Sequence, residues 1–554
     1  MGVQEREQLW GGETTKAVAN FPVSGERIPV PVIHWLGRIK GAAARVNADL
    51  GLLDQDKANR IAAAGDRVAE GEFDDQFPID VFQTGSGTSS NMNANEVIAA
   101  LAGEDVHRND DVNMGQSSND VFPSAVHLAA LDTTTNQLLP VLTQLEASLQ
   151  AKADEFKDMV KSGRTHLMDA VPVTLGQEFA GYAAQVRLGA RRISNALPQV
   201  AQIPLGGTAT GTGLNTHKEF AERVRARLTE ATGLEIRPPE DPFEAQGNRD
   251  ALVELSGALK VLAVSLTKIA NDLAWMGSGP RTAIGEILLP ELQKGSSIMP
   301  GKVNPVIPEV VLQISAQVIG NDTAITVAGT QGNFELNVRV PLIARNLLDQ
   351  IRLLTSGCRI FAEKCIDGIK ANEEGLRRSA EMTLSAATAL NPYIGYDKGA
   401  EIVKQAADSG RPLRDVALEL GVDAETYDKA MDLRHMAQRS SRLTALCQVT
   451  QLFIGQILWG TASYAQGAPS PAGVPSAAPC TVMMGTLCLV AINAGFLGTF
   501  SSARNHARFR TLSERRQLRQ TGKKTMRIWL EHDPVALAFL VIGLAAVELL
   551  AFIV

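Results

Sequence analysis

Residues 252–276, LVELSGALKVLAVSLTKIANDLAWM, decide the fold of this chain. Their apolar side chains recur in alternating steps of three and four: Leu252, Leu255, Leu259, Leu262, Leu266, Ile269, Leu273 and Met276. This spacing places all of them on one face of a single long α-helix. A helix with such a continuous apolar stripe must bury it against other helices, so the stretch predicts a helix bundle.

A second stretch repeats this spacing, with Thr135 in the gap of its apolar stripe: Leu128, Leu131, Leu138, Leu142, Leu145 and Leu149. Few windows alternate as a strand would, and glycine and proline clusters separate the helical segments. We therefore predict that residues 1–440 are mainly α, with long central helices flanked by smaller end regions.

Composition narrows the function classes. The chain has 554 residues, is 45% hydrophobic and carries a net charge of -7, which offers no general attraction for nucleic acid. Its five cysteines are too few and too scattered for a disulfide framework, and no Cys or His pair has zinc-type spacing. We expect reduced thiols and no metal. The polar N-terminus lacks the apolar stretch of a signal peptide, which predicts a cytoplasmic location for the first part of the chain.

The character of the sequence changes near residue 441. Apolar runs at about 443–460, 480–503 and 535–554 are separated by an uncharged linker and by a strongly basic loop at 504–527. Because a membrane span needs about 20 apolar residues, we predict a C-terminal transmembrane segment of two or three helices. With three spans, the basic loop and the first 440 residues both lie on the cytosolic side. With two spans, the first 440 residues would have to be exported without a signal. The alternatives are core helices of an accessory domain, a fused reading frame, or an internal signal that is cleaved near Ala465.

The strongest local motif is the segment Gly295–Pro305, GSSIMPGKVNP. Small residues, a Pro-Gly pair and two serines indicate a mobile loop. Lys302 and Asn304 supply a positive charge and an amide donor, which suit a carboxylate ligand. By itself the segment could be only a polar turn.

Three further blocks accompany this loop in the sequence: Thr84–Asn93, Asn109–Asp120 and Gly163–Leu167. The four blocks, in this order, resemble the fumarase/aspartase superfamily, and class II fumarases in particular, from about residue 8 to residue 438. The resemblance implies a homotetramer in which segments of different subunits share each active site. It also implies an N-terminal domain at 1–120, a central bundle at 121–375 with the catalytic loop 295–305, and a C-terminal domain at 376–440. The extension 441–554 has no counterpart in the resemblance.

The same resemblance implies a cofactor-free lyase of the tricarboxylic acid cycle that interconverts fumarate and L-malate through an aci-carboxylate intermediate. Ser296 would be the base, His166 the acid, acting through a bound water, and Glu309 the partner that orients His166. The remaining expected contacts are donors to a small dicarboxylate: Ser86, Gly87, Thr88, Ser117, Ser118, Asn119, Thr165, Ser297, Lys302, Val303 and Asn304.

Other lyases of the superfamily are the main alternative. Aspartate ammonia-lyases typically carry glutamine at the position of His166 and alanine at that of Gly301, so both residues favour hydration. Succinyl-type lyases typically have a different catalytic loop. A non-catalytic relative would be expected to have lost Ser296, His166, Lys302 or Asn304, and all four are present. In a membrane scaffold, the function would lie in the C-terminal extension and not in the first 440 residues.

A second, non-catalytic dicarboxylate site is implied more weakly. Fumarases commonly have His-Pro-Asn-Asp there, whereas this chain has His107, Arg108, Asn109 and Asp110. A bacterial relative has an arginine where this chain has Glu104. Arg108 would then serve as the partner of the anion, or the second site is altered or absent.

Overall fold

The computed structural model describes residues 7–438 of the chain. The first part of this range contains helices α1 to α9: Gly12–Asn20, Val30–Asp49, Gln55–Ala69, Thr88–Ala102, Ser118–Thr133, Leu139–Glu155, Leu175–Val200, Phe220–Thr232 and Pro242–Gly247. The second part contains α10 to α18: Asp250–Met276, Val306–Gly329, Val340–Lys364, Glu373–Met382, Asn391–Ile394, Tyr396–Ser409, Leu413–Glu419, Ala424–Ala430 and Leu433–Gln438.

The strands are short and all pair in antiparallel hairpins or two-residue ladders. Strands β1 to β6 are Val160–Thr165, Met168–Thr174, Ile287–Leu288, Gly332–Asn333, Leu336–Asn337 and Lys370–Ala371. β1 pairs with β2, β3 with β6, and β4 with β5.

The central bundle is built around α10, which contains the whole predicted apolar stripe. Every stripe residue from Leu252 to Met276 is buried, and α10 packs against α7, α11 and α12. The second stripe is divided between α5 and α6, with a turn of π-helix at residues 134–138 between them, and its six leucines are also buried. The prediction of a mainly helical fold with long central helices is confirmed.

The C-terminal end of the described chain has a small apolar core of its own. It includes Leu390, Ile402 and Val416, and it lies between α15, α16, α17 and the 3-10 turns of residues 384–390. The described residues all belong to one compact unit. The boundaries predicted near residues 120 and 375 stay a prediction.

The predicted fold class needs one correction, which concerns its membrane part. Within residues 7–438 no helix combines the length and the apolar character that a membrane crossing requires. The three predicted spans, at 443–460, 480–503 and 535–554, lie outside the described residues. The predicted transmembrane element and the membrane association therefore have no support in the described part of the chain. The fold class is the mainly helical one.

Candidate active site

The first element of the site is the N-terminus of α5. Ser117 caps this helix: its hydroxyl accepts from the backbone N–H of Asn119, and Asp120 closes a capping box by accepting from the Ser117 N–H at 2.9 Å. A helix N-terminus presents free N–H groups and the positive end of the helix dipole, which favours an anion. Ser118 and Asn119 lie in this first turn, so the predicted carboxylate donors occupy a suitable position.

The second element is the Thr84–Asn93 block, which forms the start of α4. Gly87 precedes the helix with a φ of 78°, and a side chain there would meet the ring of Phe122 at 2.1 Å. Only glycine fits this position, since it needs both a left-handed backbone and close contact with α5. The hydroxyls of Ser86 and Thr88 lie 2.7 Å apart and form a hydrogen bond.

These two elements meet within one chain. The Asn91 side-chain amide donates to Ser118 Oγ at 2.9 Å and to Asn113 Oδ1 at 3.3 Å. Asn119 donates to the backbone carbonyl of Ala209 at 2.9 Å, which brings the glycine-rich loop after α7 against the same turn. The structure therefore brings together the predicted donors of residues 86–88 and 117–119.

The third element is the β1–β2 hairpin, whose tip holds His166. Thr165 pairs with Met168, so His166 and Leu167 form a two-residue turn, with φ values of 56° and 61°. Both side chains are exposed. Non-glycine residues in this conformation are uncommon and occur where the surrounding structure enforces them, frequently at functional sites.

Strand β1 of this hairpin is held by buried ion pairs. Arg164 forms a bidentate ion pair with Glu286, in which each terminal nitrogen lies 2.9 Å from a carboxylate oxygen. Lys161 forms ion pairs with Glu286 at 2.8 Å and with Glu178 at 2.9 Å. Burial by itself would raise the pKa of Glu286, but the ion pairs with Arg164 and Lys161 hold that pKa below its ordinary value. Glu286 is thus a charged anchor beneath the His166 turn.

The fourth element is the loop between β3 and α11, which contains the GSSIMPGKVNP motif. The Asn304 amide donates to the Gly295 carbonyl at 2.7 Å, and the Gly295 N–H donates to the Lys302 carbonyl at 2.9 Å, so the two ends of the loop are joined. Ile298, at the tip, is 84% exposed. The loop is closed at its base and open to solvent at its tip.

Within this loop Ser296 has a distinctive environment. Its Oγ accepts from the backbone N–H groups of Ile298, at 3.2 Å, and Met299, at 3.1 Å. Donors aimed at a hydroxyl oxygen stabilise its negatively charged form and favour loss of its proton. Ser297 and Lys302 are exposed in the same loop, and Val303 is 41% exposed.

Within the described part of one chain, the elements form no single site. No hydrogen bond or ion pair among residues 7–438 joins the His166 turn or the 295–305 loop to the α4–α5 donors. Glu309 lies in the first turn of α11, is exposed and makes no hydrogen bond to His166 within that range. His166 and Leu167 instead border an open cavity of about 690 Å³ with Lys161, Arg164 and Tyr182.

The residues of the second dicarboxylate site predicted at 107–110 mostly contact protein groups in the structure. Arg108 contacts the buried carboxylate of Glu96 at 2.6 Å, and Glu96 also accepts from the backbone of Gly11 and Thr14. His107 pairs with Asp110 at 2.9 Å. Arg108 is already neutralised by Glu96, and Asn109 lies beside it in the exposed turn. A dicarboxylate site there stays an untested prediction.

Sequence reasoning missed three buried ionisable residues next to the site. Asp120 accepts from the N–H groups of Gly206 and Thr208, both at 3.0 Å, and so joins the loop after α7 to the start of α5. Glu286 anchors the hairpin, and Lys40 lies beneath the turn before α5. Only Lys40 had a signal in the sequence, as a lysine within the long apolar helix α2. No cluster that could hold a metal ion occurs in the described range.

The chain is similar to a set of known lyases. A lyase family model matches residues 2–320, and a model of the fumarase C C-terminus matches residues 387–438. The class II fumarate hydratase of Mycobacterium tuberculosis (strain CDC 1551 / Oshkosh) is 55% identical over 439 residues, which cover 78% of this chain and 93% of that relative. The corresponding Corynebacterium efficiens protein is 54% identical over 441 residues, again 78% and 93% of the two chains.

Solved structures agree with the sequence comparison. The crystal structure of a class II fumarase from Schistosoma mansoni is 38% identical and superposes with a TM-score of 0.77, over 78% of this chain and 96% of the other. The family models, the relatives more than 50% identical and the shared fold all indicate the same family. The chain belongs to the class II fumarases of the fumarase/aspartase superfamily.

Proposed function

We propose that this chain is a fumarate hydratase, a hydro-lyase that reversibly adds water to fumarate to give L-malate. The identity to class II fumarate hydratases supports this reaction. The structural observation that carries it is the environment of Ser296, whose hydroxyl oxygen accepts hydrogen bonds from two backbone N–H groups in the exposed loop 295–305.

The first chemical problem is the weak acidity of a carbon next to a carboxylate. Removing its proton produces an aci-carboxylate with two negative charges on one end, which must be stabilised as it forms. Lys302 supplies a full positive charge and Asn304 lies two residues further in the same loop. Ser296 takes the proton, since its two backbone donors stabilise the alkoxide that does so.

The second problem is the leaving hydroxide, which requires an acid. His166 fills this role, because imidazole is the side chain best suited to donate and recover a proton near neutral pH. Glu309 orients the imidazole in this proposal. The left-handed hairpin turn and the anchored Arg164 support a function at this tip, since they hold an exposed histidine in an uncommon conformation.

A shared site in a homotetramer completes the proposal. The α4–α5 donors, the His166 turn and the catalytic loop are separate in one chain, and the last two are exposed at their tips. Association of subunits would cover these tips and bring the three elements to one substrate. The cytosolic location of this part of the chain stays a prediction.

Substrate choice is tested by offering the full chain L-malate and L-aspartate and following fumarate absorbance. We expect turnover of malate alone. His166→Asn is expected to lower kcat for malate by about 10²-fold, because the leaving hydroxide loses its acid. His34→Asn is the control, since His34 pairs with Asp74 on the N-terminal helices. Turnover of aspartate would favour the alternative of an ammonia-lyase. An unaffected His166→Asn variant would remove His166 as the acid.

The Ser117 hydroxyl provides a second test, because it has both a structural role and a proposed substrate contact. Ser117→Ala is expected to lower the free energy of unfolding by about 1 kcal/mol through loss of the helix cap. It is also expected to raise KM for malate about tenfold, because a hydrogen bond to a carboxylate is lost. Thr174→Ala removes the capping box of α7. That control should lose similar stability without the change in KM, and equal KM values would remove Ser117 from the substrate site.

A further inference from the structure

Lys40 is a buried lysine that the reaction described above does not use. It lies on α2, its side chain is inaccessible to solvent, and its Nζ contacts two neutral acceptors, Asn113 Oδ1 and Gln116 Oε1, both at 3.3 Å. Among residues 7–438 it makes no ion pair. Burial lowers the pKa of Lys40 to about 7, an effect opposed by the nearby charge of Asp120.

The two acceptors of Lys40 lead directly to the proposed substrate donors. Asn113 Oδ1 also accepts from Asn91, and the same Asn91 amide donates to Ser118 Oγ. The Asn113 amide donates to the Gln116 carbonyl at 3.1 Å and closes the turn immediately before Ser117. Lys40 is therefore connected through neutral amides to the first turn of α5.

A buried ammonium without an ion pair is costly. Replacing such a charge by an apolar side chain of similar volume is often neutral or stabilising. Stability alone therefore gives no reason for lysine at position 40. The position of the charge, behind a group of neutral donors that would receive a dianion, gives a functional reason.

We propose that Lys40 is a positioning residue of the dicarboxylate site, whose ammonium orders the Asn113–Gln116 turn and supplies positive potential to a dianion held by Ser117, Ser118 and Asn119. The inference rests on the proposed function, since it needs those donors to bind substrate. Asp120 is the opposing charge on α5. It accepts three backbone N–H groups, and burial raises its pKa to about 6. Removing Lys40 takes away a positive charge that interacts with Asp120, which further disfavours a bound dianion.

The test compares two ligands of the same length that differ in charge. Succinate is a dianion and succinamate a monoanion, and both are titrated calorimetrically into the full chain and into its Lys40→Met and Lys40→Gln variants. We expect succinate to bind about tenfold more weakly to either variant, because a charge facing two carboxylates is removed. The affinity for succinamate should fall at most about threefold, because only one carboxylate then interacts with the charge. Because Lys40→Met also removes the hydrogen bonds to Asn113 and Gln116, its melting temperature is measured beside the titrations to show that the variant is folded.

The control is Lys152→Met. Lys152 is also largely buried, with 12% of its side chain exposed, and it contacts Glu155 and the Ile369 carbonyl away from the α4–α5 donors. Its variant should bind both ligands normally. The inference would be overturned if the Lys40 variants lost equal affinity for succinate and for succinamate, or lost no affinity for either. If Lys40→Met does not fold, Lys40→Gln decides, because it keeps a polar group but removes the charge.

The proposed function is checked separately by malate turnover of the unaltered chain. If the unaltered chain turns over malate and the Lys40 variants keep its ratio of succinate to succinamate affinity, only the role of Lys40 is overturned. If the unaltered chain neither turns over malate nor binds succinate, both proposals fail.

Discussion

Ser296→Ala is expected to lower kcat for malate dehydration by about 10²–10⁴-fold, the usual contribution of a positioned general base. The substitution removes the hydroxyl oxygen that accepts hydrogen bonds from the N–H groups of Ile298 and Met299. Because these donors stabilise the alkoxide, the substitution removes the proposed base together with the group that they stabilise. The measurement is the initial rate of fumarate formation by the full-length variant at saturating malate, together with exchange of the malate C3 proton with solvent.

Ser297→Ala is the matched control for this prediction. Ser297 is the next residue, is exposed and is proposed only as a hydrogen-bond donor to substrate. Its loss should reduce kcat/KM about tenfold, as expected for one hydrogen bond to a charged group. A severe loss in Ser297→Ala with near-normal activity in Ser296→Ala would exchange the roles of the two serines. Proton exchange that survives in Ser296→Ala would show that another group is the base.

Lys302→Met is expected to lower kcat/KM for malate by about 10²–10³-fold, the usual cost of losing a donor to a developing negative charge. Lys302 lies in the catalytic loop between Gly301, whose φ is 77°, and Val303, and its carbonyl joins the loop ends through the Gly295 N–H. The backbone contact does not depend on the side chain, so the loop should keep its closed base. We therefore expect kcat and KM of Lys302→Met both to change, while its melting temperature stays that of the unaltered chain.

The control for Lys302 is Lys294→Met. Lys294 is exposed and directly precedes the loop, so it changes the net charge equally without touching the proposed site. We expect activity within about twofold of the unaltered chain, because exposed charges interact weakly through water. A similar loss in both variants would mean that the effect is a general one of surface charge. A normal rate in Lys302→Met would remove Lys302 from the proposed stabilisation of the aci-carboxylate.

The prediction of the helical bundle succeeded because its information is local in the sequence. The stripe from Leu252 to Met276 depends only on the 3.6-residue period of one helix, and every residue of it is buried in the structure. The motif at residues 295–305 could be recognised for the same reason, since small residues and a Pro-Gly pair specify a loop wherever the chain places it. The membrane element was wrong as a part of the fold class: no helix among residues 7–438 could cross a membrane, and the apolar runs on which the prediction rested lie outside that range.

The sequence by itself determined the class of helices, the family and the residue types that carry the chemistry. Only the tertiary structure decided which of them contact one another: Asn91 with Ser118, Arg164 with Glu286, Arg108 with Glu96, and Lys40 with the turn before Ser117. The partners in these pairs are 12 to 122 residues apart. Their energies come from burial and from the exclusion of water, which depend on the packed chain and have no counterpart in local sequence.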